Sequence, residues 1–163
     1  MMKYFKINKR LDNKTKHDLI WFAKTHKNQY YNHASTISNA YTNLNFLFTY
    51  HKIYDTILKM FPVEGNNISL LRIDKNKEIS PHTDGINLKR NTVIIFPLWP
   101  LPHQYSPCIV EDEEIPYYDC YAFNTQKTHW IKNNDYERIS LQIFYDICIE
   151  DLYEQFKCID GFV

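Results

Sequence analysis

Residues 123–146 read FNTQKTHWIKNNDYERISLQIFYD. Two runs rich in β-branched and aromatic residues, THWIK (128–132) and RISLQIFYDI (138–147), flank the cluster Asn133-Asn134-Asp135. Such a cluster favours a turn, so the two runs are expected to pair as a hairpin. Working outward, DCYAFN (119–124), PCIVE (107–111), NTVIIFPL (91–98) and ISLLRID (68–74) have the same character. Pro, Asn and Asp clusters separate them. The first third reads differently. Asp12 or Asn13 can cap a helix running to about His26, with Leu19, Phe22 and Ala23 on its apolar face and Trp21 at the flank. Phe46, Tyr50, Ile53, Tyr54, Ile57, Leu58 and Phe61 recur at helical spacing, ended by Pro62 and Gly65. Two helices followed by short strands predict a mainly β fold, an antiparallel sandwich or jelly roll backed by helices. One domain is expected over 1–163: helical support to 65, a β core over 66–150 and a C-terminal segment over 151–163.

Nineteen basic residues balance nineteen acidic ones. That balance argues against a broad basic face for nucleic acid or anionic lipid. The three glycines, at 65, 85 and 161, cannot form a Gly-rich phosphate loop. Four cysteines at 108, 120, 148 and 158 contain no CxxC pair. The N-terminus lacks an apolar h-region and no apolar run reaches membrane-spanning length, so a cytoplasmic protein is expected.

The chemistry concentrates in Pro81-His82-Thr83-Asp84-Gly85. On a strand, residues i and i+2 share a face, so His82 and Asp84 can offer a nitrogen and an oxygen to one point. His129, on a later strand, is the candidate third ligand. Two imidazoles and one carboxylate make the facial triad of non-haem Fe(II) oxygenases. Arg138 stands nine residues after His129, and the chain has four arginines, at 10, 72, 90 and 138. In the expected hairpin it lies beside His129, where a guanidinium can grip a carboxylate in bidentate fashion. Ser140, two residues on, shares its face and can add a hydroxyl.

This pattern resembles the 2-oxoglutarate- and Fe(II)-dependent oxygenase superfamily. Segment 123–146 is most similar to its aspartyl/asparaginyl β-hydroxylase-like branch, in which an Asn-rich turn and Arg-hydrophobe-Ser-Leu follow the distal His. The resemblance spans about residues 68–147 and is specific at His82, Asp84, His129 and Arg138. It implies a double-stranded β-helix (a cupin-like jelly roll), Fe(II) as cofactor and 2-oxoglutarate as cosubstrate. It also implies that O2 is used to hydroxylate a C–H bond of a protein side chain or small metabolite, with release of succinate and CO2. Asp84 fills the position a halide would need, which favours hydroxylation over halogenation.

A second contact to the 2-oxoglutarate carboxylates could come from Arg90, Thr92 or Arg72. Trp99, His103 and Tyr105, in or beside the Pro-rich segment 97–107, are candidate substrate-pocket residues. The acidic run 111–114 would favour a cationic substrate if it stands at the mouth. Plainer readings exist for each residue: a surface turn at His82 and Asp84, a core histidine at 129, a surface strand cation at 138. Two other functions stand beside the oxygenase reading, a non-oxygenase cupin-like metal-binding protein and a jelly-roll structural or interaction protein.

Overall fold

A computed structural model describes residues 1–26, 31–34, 37–43, 55, 57, 59–61, 67–84, 91–132 and 134–160. Helix α1 (Asn13–Thr25) begins where Asp12 accepts a hydrogen bond from the Thr15 amide at 2.8 Å. This is the expected cap, and Leu19, Phe22 and Ala23 are its buried face, while Trp21 is exposed. Most of the expected helix over 46–61 lies outside the described residues. Ile57 and Phe61 of its stripe are described and buried. A helix not foreseen in the C-terminal segment, α2 (Ile149–Asp160), carries acidic Glu150 and Asp151 in its first turn, where they complement the helix dipole.

Eleven strands are described: β1 (Tyr4–Lys6), β2 (Tyr31–Ala34), β3 (Ile37–Asn43), β4 (Asn67–Ile73), β5 (Ile79–His82), β6 (Thr92–Trp99), β7 (Cys108–Val110), β8 (Glu113–Glu114), β9 (Tyr121–Asn124), β10 (His129–Ile131) and β11 (Arg138–Tyr145). They form a seven-stranded sheet, ordered β1-β9-β6-β11-β4-β3-β2, and a four-stranded sheet, ordered β5-β10-β7-β8. Every recorded pairing is antiparallel. The first 65 residues are therefore more than helical support, since they supply β1 and the edge hairpin β2–β3. His33 lies in β2.

The expected hairpin of β10 with β11 does not form. β10 pairs with β5 and β7, whereas β11 pairs with β4 and β6. The intervening turn carries the chain from the small sheet to the large one. It is a turn all the same: the Asn134 side chain accepts from the Tyr136 amide at 3.4 Å, and its carbonyl accepts from the Asn76 amide at 2.7 Å.

Strands β4, β6, β9 and β11 of the large sheet are buried on both faces. Ile94, Phe96, Leu98, Ile139, Leu141 and Ile143 pack against α1, α2, Ile57 and Phe61. Leu71, Ile73, Val93, Ile95, Phe123 and Phe144 face the small sheet, meeting Ile79, Val110 and Ile131. A strand buried on both faces reads as a continuous apolar run, as VIIF does. In β11 the set facing the small sheet has the parity of Arg138, Ser140, Gln142 and Phe144. Three of its four members are polar, yet all are buried. No helix among the described residues is long and apolar enough to cross a membrane.

Candidate metal centre

His82 ends β5 and His129 begins β10, and the two are directly opposed in the antiparallel register. Opposed residues project to the same side of a sheet, which brings the imidazole centroids to 4.4 Å. Asp84 lies two residues beyond His82, just past the strand end. Its amide donates to the Thr125 carbonyl at 2.9 Å, tying it to the residue that follows β9 of the large sheet. Asp84 Oδ1 is 3.6 Å from His82 Nε2 and 3.6 Å from His129 Nε2. The three donor atoms all lie within 4.8 Å of one another. The i, i+2 logic holds at His82 and Asp84 even though only His82 is in the strand.

Both imidazoles are oriented by the main chain. His82 Nδ1 is 2.8 Å from the Ser80 carbonyl and His129 Nδ1 is 2.8 Å from the Lys127 carbonyl. A carbonyl only accepts, so each Nδ1 carries a proton, and the neutral form of either ring has its lone pair on Nε2. Burial pushes the His129 pKa down to about 4, against the Lys127 hydrogen bond, with His82 adding a small push the same way. His129 is thus neutral at physiological pH. Phe123 meets its ring edge-on at 5.0 Å.

The cavity containing these residues runs between the sheets and is lined further by Leu71, Val93, Ile95, Cys108, Tyr121, Thr125, Arg138, Gln142 and Phe144. Arg138 therefore reaches the site across the gap between the sheets, and not from a strand beside His129. It is 2% exposed. Its Nε donates to the Ser106 carbonyl at 3.1 Å, one terminal nitrogen contacts Ser140 Oγ at 3.5 Å, and the Tyr105 ring lies 4.2 Å from Cζ. Among the described residues no carboxylate pairs with it. Burial raises the Tyr105 hydroxyl and the Cys108 thiol to about 12, with Arg138 opposing both shifts, so neither ionises near neutrality.

The secondary candidates fare differently. Thr92 has the parity of Ile94 and Phe96, and its hydroxyl donates to the Ile147 carbonyl at 2.8 Å, away from the cavity. Arg72 is opposed to Ile139, the outward neighbour of Arg138, and its guanidinium is paired with Asp74 and, at 3.4 Å, with Glu137. Arg90 lies outside the described residues. Trp99 packs on the helix-facing core, with Lys24 Nζ 3.3 Å from its ring centroid. His103 is exposed on a 3-10 turn, and neither it nor Tyr105 lines the cavity. Sequence reasoning missed Thr125 and Gln142. Gln142 was within reach, being two and four residues beyond Ser140 and Arg138 on the same strand face.

The acidic run does adjoin the site, since Val110 is opposed to His129. It is largely neutralised there. Glu111 pairs with Lys127 at 2.9 Å, Glu113 with Lys3 at 3.2 Å, and Glu114 with Lys132.

No family model matches the chain, and no curated protein matches it. Solved structures do. The non-haem alpha-ketoglutarate-dependent carbocyclase SnoK of nogalamycin biosynthesis superposes with a TM-score of 0.64 at 10% identity, over 93% of this chain and 85% of that one. A prolyl hydroxylase of Trichoplax adhaerens, solved with a hypoxia inducible factor peptide, gives 0.62 at 10% identity, over 96% and 87%. A prolyl-4-hydroxylase of Pseudomonas putida gives 0.57 at 13% identity, over 88% and 92%. The chain therefore has the double-stranded β-helix fold found in these oxygenases.

Proposed function

We propose that the chain is a 2-oxoglutarate- and Fe(II)-dependent dioxygenase that hydroxylates a C–H bond of a protein side chain or small metabolite. The observation that carries this reading is a single cavity holding both a two-imidazole, one-carboxylate cluster and a buried guanidinium without a carboxylate partner among the described residues. A buried cation is costly unless an anion meets it. A dicarboxylate reaching from the cluster to Arg138 satisfies both ends.

His82 and His129 would hold the metal through Nε2 and Asp84 through its carboxylate, a donor set suited to iron with positions left open. Fe(II) and 2-oxoglutarate, when bound, supply the O2 chemistry, with succinate and CO2 released. The Ser80 and Lys127 carbonyls fix the tautomer and plane of the two rings. Arg138 and Ser140 would bind the distal carboxylate. Leu71, Val93, Ile95, Phe123 and Phe144 exclude bulk water. The aspartyl/asparaginyl β-hydroxylase-like assignment is the finer part of the proposal and rests on segment 123–146. The similar structures include a hydroxylase solved with a peptide and a carbocyclase of nogalamycin biosynthesis, so either substrate class fits the fold. A cupin-like metal protein or a structural jelly roll leaves the Arg138 charge without a purpose.

The test is succinate release from labelled 2-oxoglutarate with Fe(II), O2 and ascorbate, alongside Mn(II)-dependent binding of 2-oxoglutarate. Wild type should bind 2-oxoglutarate only with metal and turn it over slowly even without substrate. Asp84→Ala should do neither. Equal binding by both proteins, or none by wild type, refutes the proposal.

A further inference from the structure

The loop between β6 and β7, PLPHQYSP (100–107), touches Arg138 through residues that do not line the cavity. Its base makes two different contacts with the guanidinium. The Tyr105 ring covers one face at 4.2 Å from Cζ, and the Ser106 carbonyl accepts from Nε at 3.1 Å. Both supports are themselves held. Tyr117 meets Tyr105 edge-on, at 5.8 Å and 83°. Ser106 is 6% exposed, and its hydroxyl donates to the Lys132 carbonyl at 2.9 Å. The loop is further closed by the Gln104 amide bonding the Leu101 carbonyl at 2.9 Å.

A ring on one face and an acceptor on Nε remove two freedoms of the planar guanidinium, its tilt and its rotation about the Cδ–Nε bond. The other donors sit on the terminal nitrogens, beside the hydroxyls of Ser140 and of Tyr121, which lines the cavity with Arg138. We infer that Tyr105 and Ser106 are positioning residues that hold the Arg138 guanidinium edge-on to the cavity, so that the loop outside the barrel sets the affinity for the distal carboxylate within it. Tyr105 acts through its ring and does not touch the cosubstrate. This inference rests on the reading of Arg138 as the seat of that carboxylate.

Titration of the Mn(II)-loaded protein with 2-oxoglutarate, and separately with pyruvate, tests it, because pyruvate lacks the distal carboxylate. Tyr105→Phe keeps the ring and should bind 2-oxoglutarate within about twofold of wild type, whereas Tyr105→Leu should bind about tenfold more weakly. Mn(II) and pyruvate affinities should be unchanged in both. Undiminished 2-oxoglutarate binding by Tyr105→Leu overturns the inference, and so does a parallel loss of pyruvate and metal, which would signal general damage. If wild type binds no 2-oxoglutarate, the functional proposal fails and the positioning is decided by NMR of the metal-free protein. The Arg138 Nε–H should then exchange slowly in wild type and Tyr105→Phe and quickly in Tyr105→Leu. Equal exchange in all three removes the positioning role.

Discussion

Arg138 shows how a residue can be right for one purpose and wrong for another. A buried guanidinium with no carboxylate partner in the described structure opposes folding of the empty protein. Replacing it with Met, which fills much of the same volume without charge, should therefore hold or raise the denaturant midpoint of the metal-free protein. The same substitution should weaken 2-oxoglutarate binding by about 30-fold or more, since a hydrogen-bonded charge pair is lost. Denaturation and titration of the one variant check both signs; a clear loss of stability would mean that the charge is satisfied within the fold. His82 and Asp84 were legible as a pair because i, i+2 spacing at a strand puts two side chains on one face; the placement of His129 and Arg138 was not, since the hairpin expected to set them side by side does not form. Thr92 and Arg72 were not separable from true cavity residues by the same logic. Their facing depends on register with β11: once Arg138 is opposed to Ile73, Arg72 must be opposed to Ile139 and turn outward.

At the scale of elements, local signals were read well and non-local pairings were not. α1 has its own cap and its own apolar stripe, so its limits follow from residues 12–26 alone. The β10–β11 pairing was inferred from a turn-forming cluster, and the turn exists. Nothing in those residues says whether the chain returns along its own sheet or crosses to the other. β2 and β3 read YNHA and ISNAYTN, with no sustained apolar alternation, and are strands because β4 and each other supply the pairing. α2 is anchored by Ile149, Leu152 and Phe156. Phe156 meets Phe5 at 6.1 Å and Phe61 at 5.6 Å, both edge-on. Phe156→Ala should cost about 3–5 kcal/mol in chemical denaturation. Metal affinity in the folded state should not change, because the cluster lies on the other side of the large sheet. Loss of metal binding ahead of unfolding would place α2 in closer contact with the site than the layers allow.

For the whole molecule, burial of neutral His129 makes stability depend on pH. The folded pKa of about 4 is below the unfolded value of 6.5, so the unfolded chain takes up the proton first. Metal-free protein should be unaffected above pH 6.5, lose stability as pH falls toward 4, and lose about 3 kcal/mol at most from this group. Urea midpoints at pH 7.5, 6 and 5 should show the decline, and His129→Gln should flatten it. A flat wild-type profile over that window contradicts the burial argument. The anchoring of both imidazoles on peptide carbonyls has a further consequence. Every residue type brings a carbonyl, so substitution at Ser80 or Lys127 leaves the acceptor in place. The side chains at those two positions can therefore change while the ring nitrogens stay aimed at one point. Residues around the mouth of the cavity can vary in the same way without disturbing what steers the rings.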